Sequence, residues 1–96
     1  MESHFDISIE RAGGNINLKL LGDFDDASAN LLIDCLKENG KNVGIAIIET
    51  SDLDHIDPSA LDIFQRRVHA LKDLCYRLVF CGKHASQLVP AWVNYF

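Results

Sequence analysis

The segment Val43-Gly44-Ile45-Ala46-Ile47-Ile48-Glu49-Thr50-Ser51-Asp52-Leu53-Asp54-His55-Ile56-Asp57-Pro58-Ser59-Ala60-Leu61 sets three structural signals in a row. Residues 43–48 are apolar almost throughout, which predicts a buried strand, covered on both faces or at least flanked on both edges. An acidic turn follows and runs into Asp57-Pro58. Asp57 is a good N-cap, because its carboxylate can accept the free N–H groups of a first helical turn. Pro58 suits the first helical position, where no N–H is needed and its fixed φ helps. A strand, a turn and a helix start in this order place polar groups at the carboxyl edge of a sheet. Open α/β folds carry their working surface there.

Working outward, residues upstream form a hairpin. Phe5, Ile7 and Ile9 alternate with His4, Asp6, Ser8 and Glu10, the pattern of a half-buried strand. Ala12-Gly13-Gly14-Asn15 supplies the turn. Ile16, Leu18 and Leu20 then alternate with Asn17 and Lys19, giving an antiparallel partner. Gly22-Asp23-Phe24-Asp25-Asp26 breaks the alternation. Asp25 or Asp26 caps a helix expected to reach Asn39, with Leu31, Leu32, Cys35 and Leu36 on its buried side and Gly40 as its terminator.

Downstream, a second helix is expected over residues 58–74. Leu61, Phe64, Val68, Leu71 and Cys75 fall at helical spacing, with Asp62, Arg66, His69 and Asp73 mostly off that stripe. Residues 78–81 read as a fourth strand, and Gly82 starts a turn. A short helix is expected over residues 85–89, interrupted or bent away at Pro90. The order is β-β-α-β-α-β-α. Helical crossovers make the last three strands parallel and leave the first as an antiparallel edge. The fold class expected is α/β: one small domain over residues 1–96, a four-stranded mixed sheet packed with helices.

Composition narrows the function. Of 96 residues, 48% are hydrophobic and 24% charged, so the chain is globular rather than disordered. A net charge of −5 argues against nucleic acid, which needs clustered Lys and Arg, and favours a partner with a basic face. No apolar run approaches the roughly 20 residues of a membrane span. Met1-Glu2-Ser3-His4 lacks a basic region leading into an apolar stretch, so no signal peptide and a cytoplasmic location are expected. Cysteine usage fits a reducing compartment. Cys75 and Cys81 bracket one strand and lie about 20 Å apart at ~3.3 Å per residue, too far to bond. Together with Cys35 they read as small buried hydrophobes.

Candidate chemistry is sparse. No Gly-rich phosphate loop, cofactor motif or Cys/His metal spacing occurs. Asp52, Asp54, His55 and Asp57 could offer oxygens to a hard cation, but capping and a solvated loop explain them more simply. Asp23 and Asp25 could pair for acid–base work; a loop that caps the first helix explains them better. His55 reads as an exposed turn residue. Ser59 sits in the first turn of a helix, where backbone N–H groups and the dipole favour a phosphoryl group. Arg66, Arg67 and Lys72 form a modest basic face. Trp92, Tyr95 and Phe96 either close the core or form a patch for a partner or a second copy, as in a homodimer.

Several of these segments, in this order, resemble the STAS (SpoIIAA-like) family of bacterial anti-sigma factor antagonists and sulfate-transporter tails. Gly22-Asp23-Phe24-Asp25 is similar to the family's Gly-Glu-Leu-Asp entry to the first helix. Glu49-Thr50-Ser51 stands where Asp-Leu-Ser is common. His55-Ile56-Asp57-Pro58-Ser59-Ala60-Leu61 resembles its Phe-Ile-Asp-Ser-Ser-Gly-Leu segment. The match covers residues 5–89. It implies a non-catalytic binding switch that docks on an anti-sigma factor, usually a serine kinase. The kinase phosphorylates the first serine of that segment, and the added charge breaks the complex. Here Pro58 takes that place and has no hydroxyl. Ser59 matches the second serine, about 100° further round the helix, and Ala60 replaces the glycine. Ordinary phosphoregulation is therefore not expected. The resemblance implies a partner interface at Asp23, Asp25, Asp54, His55, Asp57, Pro58, Ser59 and Ala60, with Ser59 as switch or alternative phosphoacceptor. It implies no cofactor and no metal. Its other branch is a subunit of a bacterial lipid-transport ABC system that packs on the ATPase.

Overall fold

The computed structural model describes residues 4–39, 43–68 and 77–89. Seven elements follow in order: β1 (Phe5–Ala12), β2 (Asn15–Phe24), α1 (Asp26–Glu38), β3 (Ile45–Ile56), α2 (Pro58–Val68), β4 (Arg77–Cys81) and α3 (Ala85–Leu88). The expected order is the observed one. Expectations that fall on Gly40, on the second helix beyond Val68 (His69, Leu71, Lys72, Asp73, Cys75), and on Pro90, Trp92, Tyr95 and Phe96 lie outside the described residues.

The sheet has the order β1-β2-β3-β4. β1 pairs antiparallel with β2, from Phe5 opposite Gly22 to Ala12 opposite Asn15. β2–β3 and β3–β4 are parallel, as the helical connections require. β3 is central because it is flanked on both edges. Along β2, Ile16, Leu18 and Leu20 are buried; on the same face β3 gives Ala46 and Ile48, and β4 gives Leu78 and Phe80. The buried apolar residues of all three helices join these in one cluster. Phe5, Phe24, Phe64 and Phe80 run through it as successive edge-to-face pairs, with centroids 6.0, 6.1 and 6.0 Å apart. Each such contact contributes about 0.5–1.5 kcal/mol beyond its area.

Three expectations need correction. First, residues 51–56 are strand, not an acidic turn: β3 continues to Ile56 because β2 also continues, to Phe24. Leu21 faces Asp52, Gly22 faces Leu53, Asp23 faces His55 and Phe24 faces Ile56, with register irregularities between Lys19 and Leu21 and between Gly22 and Asp23. These irregularities re-aim the two strands so that Phe24 and Leu53 reach the core, both at most 2% exposed. Gly22 makes the bend possible. Its φ is +94, and a Cβ there would run into the His4 carbonyl oxygen.

Second, Leu31 is not on the buried side of α1; it is 52% exposed. Ala29, Leu32, Ile33 and Leu36 are buried instead, the i, i+3, i+4, i+7 stripe. Leu31 lies one residue, or about 100°, off that stripe. Third, Ala60 is fully buried, so its methyl belongs to the core and not to an outer face.

Candidate functional site

The candidate site is built where the ends of β2 and β3 deliver the starts of α1 and α2. At the α1 start, Asp25 has extended backbone (φ −109, ψ −172) and its carboxylate accepts from the Ser28 N–H at 2.9 Å. The Ser28 hydroxyl proton serves both Asp25 Oδ1 and the Asp23 carbonyl oxygen, each 2.8 Å away. Ser28 is buried and Asp25 half-buried, so this knot is partly shielded from water. An acidic residue, Asp26, occupies the first turn, where the helix dipole favours it.

The α2 start differs. The Asp57 N–H donates to the Phe24 carbonyl at 2.9 Å, tying it to the end of β2. The Asp57 backbone carbonyl then accepts from the Ala60 and Leu61 N–H groups at 3.0 and 3.2 Å. Its carboxylate turns to His55 instead, with Oδ1 2.8 Å from Nε2. Capping by the Asp57 side chain was the expectation from sequence; in the structure that carboxylate is committed to an exposed histidine. Pro58 opens the helix, as its missing N–H allows. Ser59 is exposed, and its hydroxyl donates to Asp26 Oδ1 at 2.6 Å. One hydrogen bond therefore bridges the first turns of both helices, across 33 residues of sequence.

Of the residues picked out from sequence, the structure brings Asp23, Asp25, His55, Asp57, Pro58 and Ser59 to one end of the molecule. Asp23 and His55 are register partners across β2–β3. Asp54 is exposed on the same strand segment, and Ala60 is withdrawn into the core. The acidic group Asp52, Asp54, His55 and Asp57 does not converge. Asp52 pairs with Lys19 at 3.1 Å while Asp57 pairs with His55. Among the described residues, no group of three or more His, Cys, Asp or Glu could hold a metal ion. Ser28 was missed from sequence, and Asp26 was read there only as an alternative cap of the first helix. Ser28 follows Asp25 at the cap-box interval, a signal that was available; nothing local pairs Asp26 with Ser59.

The opposite face of the sheet carries a shallow open depression of about 520 Å³, lined by Glu10, Asn17, Lys19, Ile47, Glu49, Ser51, Asp52 and Cys81. Several of its polar groups bond to one another. Glu49 accepts from the Ser51 N–H at 3.0 Å and from the Cys81 thiol at 3.2 Å. Hydrogen bonds from Ser51, then from Cys81, hold the Glu49 carboxyl below its usual value. Burial first, then the bond to Glu49, push the Cys81 thiol up to about 11. That thiol is a poor nucleophile at neutral pH. Nearby, fully buried Thr50 donates to the Cys81 carbonyl at 2.8 Å and accepts from the His84 N–H at 3.1 Å, pinning the start of α3 to the middle of β3 and the end of β4.

With this geometry in place, the chain can be set beside solved structures. An anti-sigma factor antagonist from Mycobacterium paratuberculosis superposes with a TM-score of 0.61 over 88% of this chain and 73% of its own, at 17% identity. The antagonist SpoIIAA in its unphosphorylated form gives 0.56 over 95% of this chain and 88% of its own, at 14% identity. The fold is SpoIIAA-like. Mglu contains the same architecture with a TM-score of 0.67 at 18% identity; the match covers 91% of this chain and 20% of Mglu's length. No family model and no curated protein matches the sequence. The expected STAS-like, four-stranded mixed sheet with helices is thus the observed fold. Among the described residues, no helix is long and apolar enough to cross a membrane.

Proposed function

We propose that this chain is a non-catalytic, protein-binding regulator of the anti-sigma factor antagonist type, acting in the cytoplasm through the joined starts of α1 and α2. One observation carries this reading. The Ser59 hydroxyl, exposed in the first turn of α2, bonds to Asp26 in the first turn of α1 at 2.6 Å. That bond makes the two helix starts a single outward face, edged by Asp23, Asp25, Asp54 and Asp57. Such a face suits a partner with basic groups, in keeping with the net charge of −5. Pro58 removes the hydroxyl from the first position of the helix, so a kinase-driven release of the usual kind has no acceptor there. The chain then stays binding-competent, or is governed by the partner's own state. Phosphate on Ser59 would sit against the Asp26 carboxylate and break the bond between the helices.

Affinity capture from native lysate, followed by mass spectrometry, tests the reading. Recovery of a serine-kinase-type anti-sigma factor, lost with Ser59→Asp, is the expected result. Recovery of an ABC ATPase would move the chain to the lipid-transport branch, and recovery of neither would remove the regulatory reading. Incubation of the captured kinase and ATP with the protein should leave its intact mass unchanged. A stoichiometric phosphate mapped to Ser59 would show that the second position serves as acceptor.

A further inference from the structure

A second surface lies away from the α2 start, along β1. β1 is a sheet edge: among the described residues it pairs only with β2. Its eight residues pair in continuous register without a bulge, and it contains no proline. Of the protections natural edge strands use, it carries charged side chains, at Asp6, Glu10 and Arg11. The Ile7 N–H bonds to the Asp6 carboxylate at 3.0 Å rather than to β2, which shows that Ile7 turns its backbone groups to the open side.

The helix-facing side of this edge is apolar. Phe5, Ile7 and Ile9 lie opposite Gly22, Leu20 and Leu18. α1 runs alongside in the same direction. Phe5 shares a shallow depression with Asp25, Ala27, Ser28 and Leu31 at one end, and Arg11 donates to the Asn39 side-chain oxygen at 2.7 Å at the other. Among the described residues, the exposed large hydrophobic residues are Ile9 at 41% and Leu31 at 52%. One stands on this strand and the other on the helix beside it. The groove has an acidic end, at Asp25 and Asp26, and a basic end, at Arg11.

We propose that the occupant of this groove is a second copy of the chain, joined β1 to β1 in antiparallel fashion about a two-fold axis at Ile7. This reading shares Asp25 and Asp26 with the face at the α2 start but rests on the open edge of β1. An antiparallel copy sets the Arg11 end of one protomer against the acidic α1 start of the other, and the symmetry repeats that match. With the axis at Ile7, Ile7 faces its own copy, Phe5 faces Ile9 and Asp6 faces Ser8, so the apolar side chains share one face. Moving the axis to Ser8 sets Asp6 against Glu10, and like charges opposite each other oppose pairing. Because Ile7 turns its N–H and carbonyl outward, the Ile7 pair exchanges two hydrogen bonds, with Cα atoms about 5.5 Å apart. The partner's carbonyl replaces Asp6 on the Ile7 N–H. Ile9 and Leu31 of both copies cover the seam.

Light scattering after gel filtration is expected to give a dimer mass for the wild type. Ile9→Lys and Arg11→Glu should each raise the dimer dissociation constant about tenfold or more, as loss of a close interfacial contact does, with an unchanged circular dichroism spectrum. Leu31→Lys, at an exposed position, gives the same readout should either variant misfold. Ile7→Cys should form a covalent dimer under mild oxidation, which the wild type does not, because the two Cα atoms lie within disulfide reach. A wild type that is monomeric at every concentration, a dimer indifferent to all three charge variants, or an Ile7→Cys protein that yields no covalent dimer would each overturn the proposal.

Discussion

α1 and α2 begin with closely similar signals: an aspartate just before the helix and a serine within its first turn. They use them differently. At α1, both side chains turn inward: Asp25 takes the Ser28 N–H, and the buried Ser28 hydroxyl returns to Asp25 and to the Asp23 carbonyl. At α2, both side chains turn outward: Asp57 holds His55 and Ser59 holds Asp26. The difference of spacing decides this. Ser28 lies three positions after Asp25, which returns the serine to the cap. Ser59 lies two positions after Asp57, which points the hydroxyl around the helix to the neighbouring start. The core position three residues after Asp57 goes to Ala60. α1 thus begins with a structural knot, and α2 leaves its polar side chains for an outer face.

Substitutions can break this contrast. The largest effect is expected at Ala60. Ala60→Leu forces extra methylenes into a fully buried site and should cost about 1–3 kcal/mol in urea denaturation; a neutral result would mean that the α2 start is not packed as described. Asp25→Ala comes next, at about 1–2 kcal/mol, because it removes a side-chain cap and one of the two acceptors of the buried Ser28 hydroxyl. Asp57→Ala should cost about 0.5 kcal/mol or less. Its helix N–H groups are held by a backbone carbonyl that any residue supplies, and its exposed pair with His55 is worth little. A loss at Asp57 equal to that at Asp25 would erase the distinction between the two starts. Ser59→Ala should change stability by only a few tenths of a kcal/mol while altering partner capture. As a control for locality, the alkylation rate of Cys81 should rise with pH toward a midpoint of about 11, unchanged by any of the helix-start variants.

The same physics explains what was legible beforehand. The hairpin, the parallel run of strands and the Asp25 cap follow from alternation, crossover length and local capping, which are short-range signals. The exchange of Leu31 for Ile33 on the buried side of α1 does not. Leu31, Leu32 and Ile33 are adjacent and all apolar, and only the position of the helix over β2 decides which of them faces in. The continuation of β3 through Asp52, Asp54 and His55 was equally hidden. A polar segment becomes strand there because Leu21, Gly22, Asp23 and Phe24 pair with it from far upstream.

The amino-acid order alone determined the sequence of elements, the edge position of β1, Pro58 as the first residue of α2 and its lack of a hydroxyl. These are properties of neighbours in the chain. Folding in three dimensions decided that Ser59 meets Asp26, that Ala60 is core, and that Ile9 and Leu31 flank one open groove. Each of these depends on how separate elements are placed against one another, and contacts between distant residues leave no trace in local periodicity.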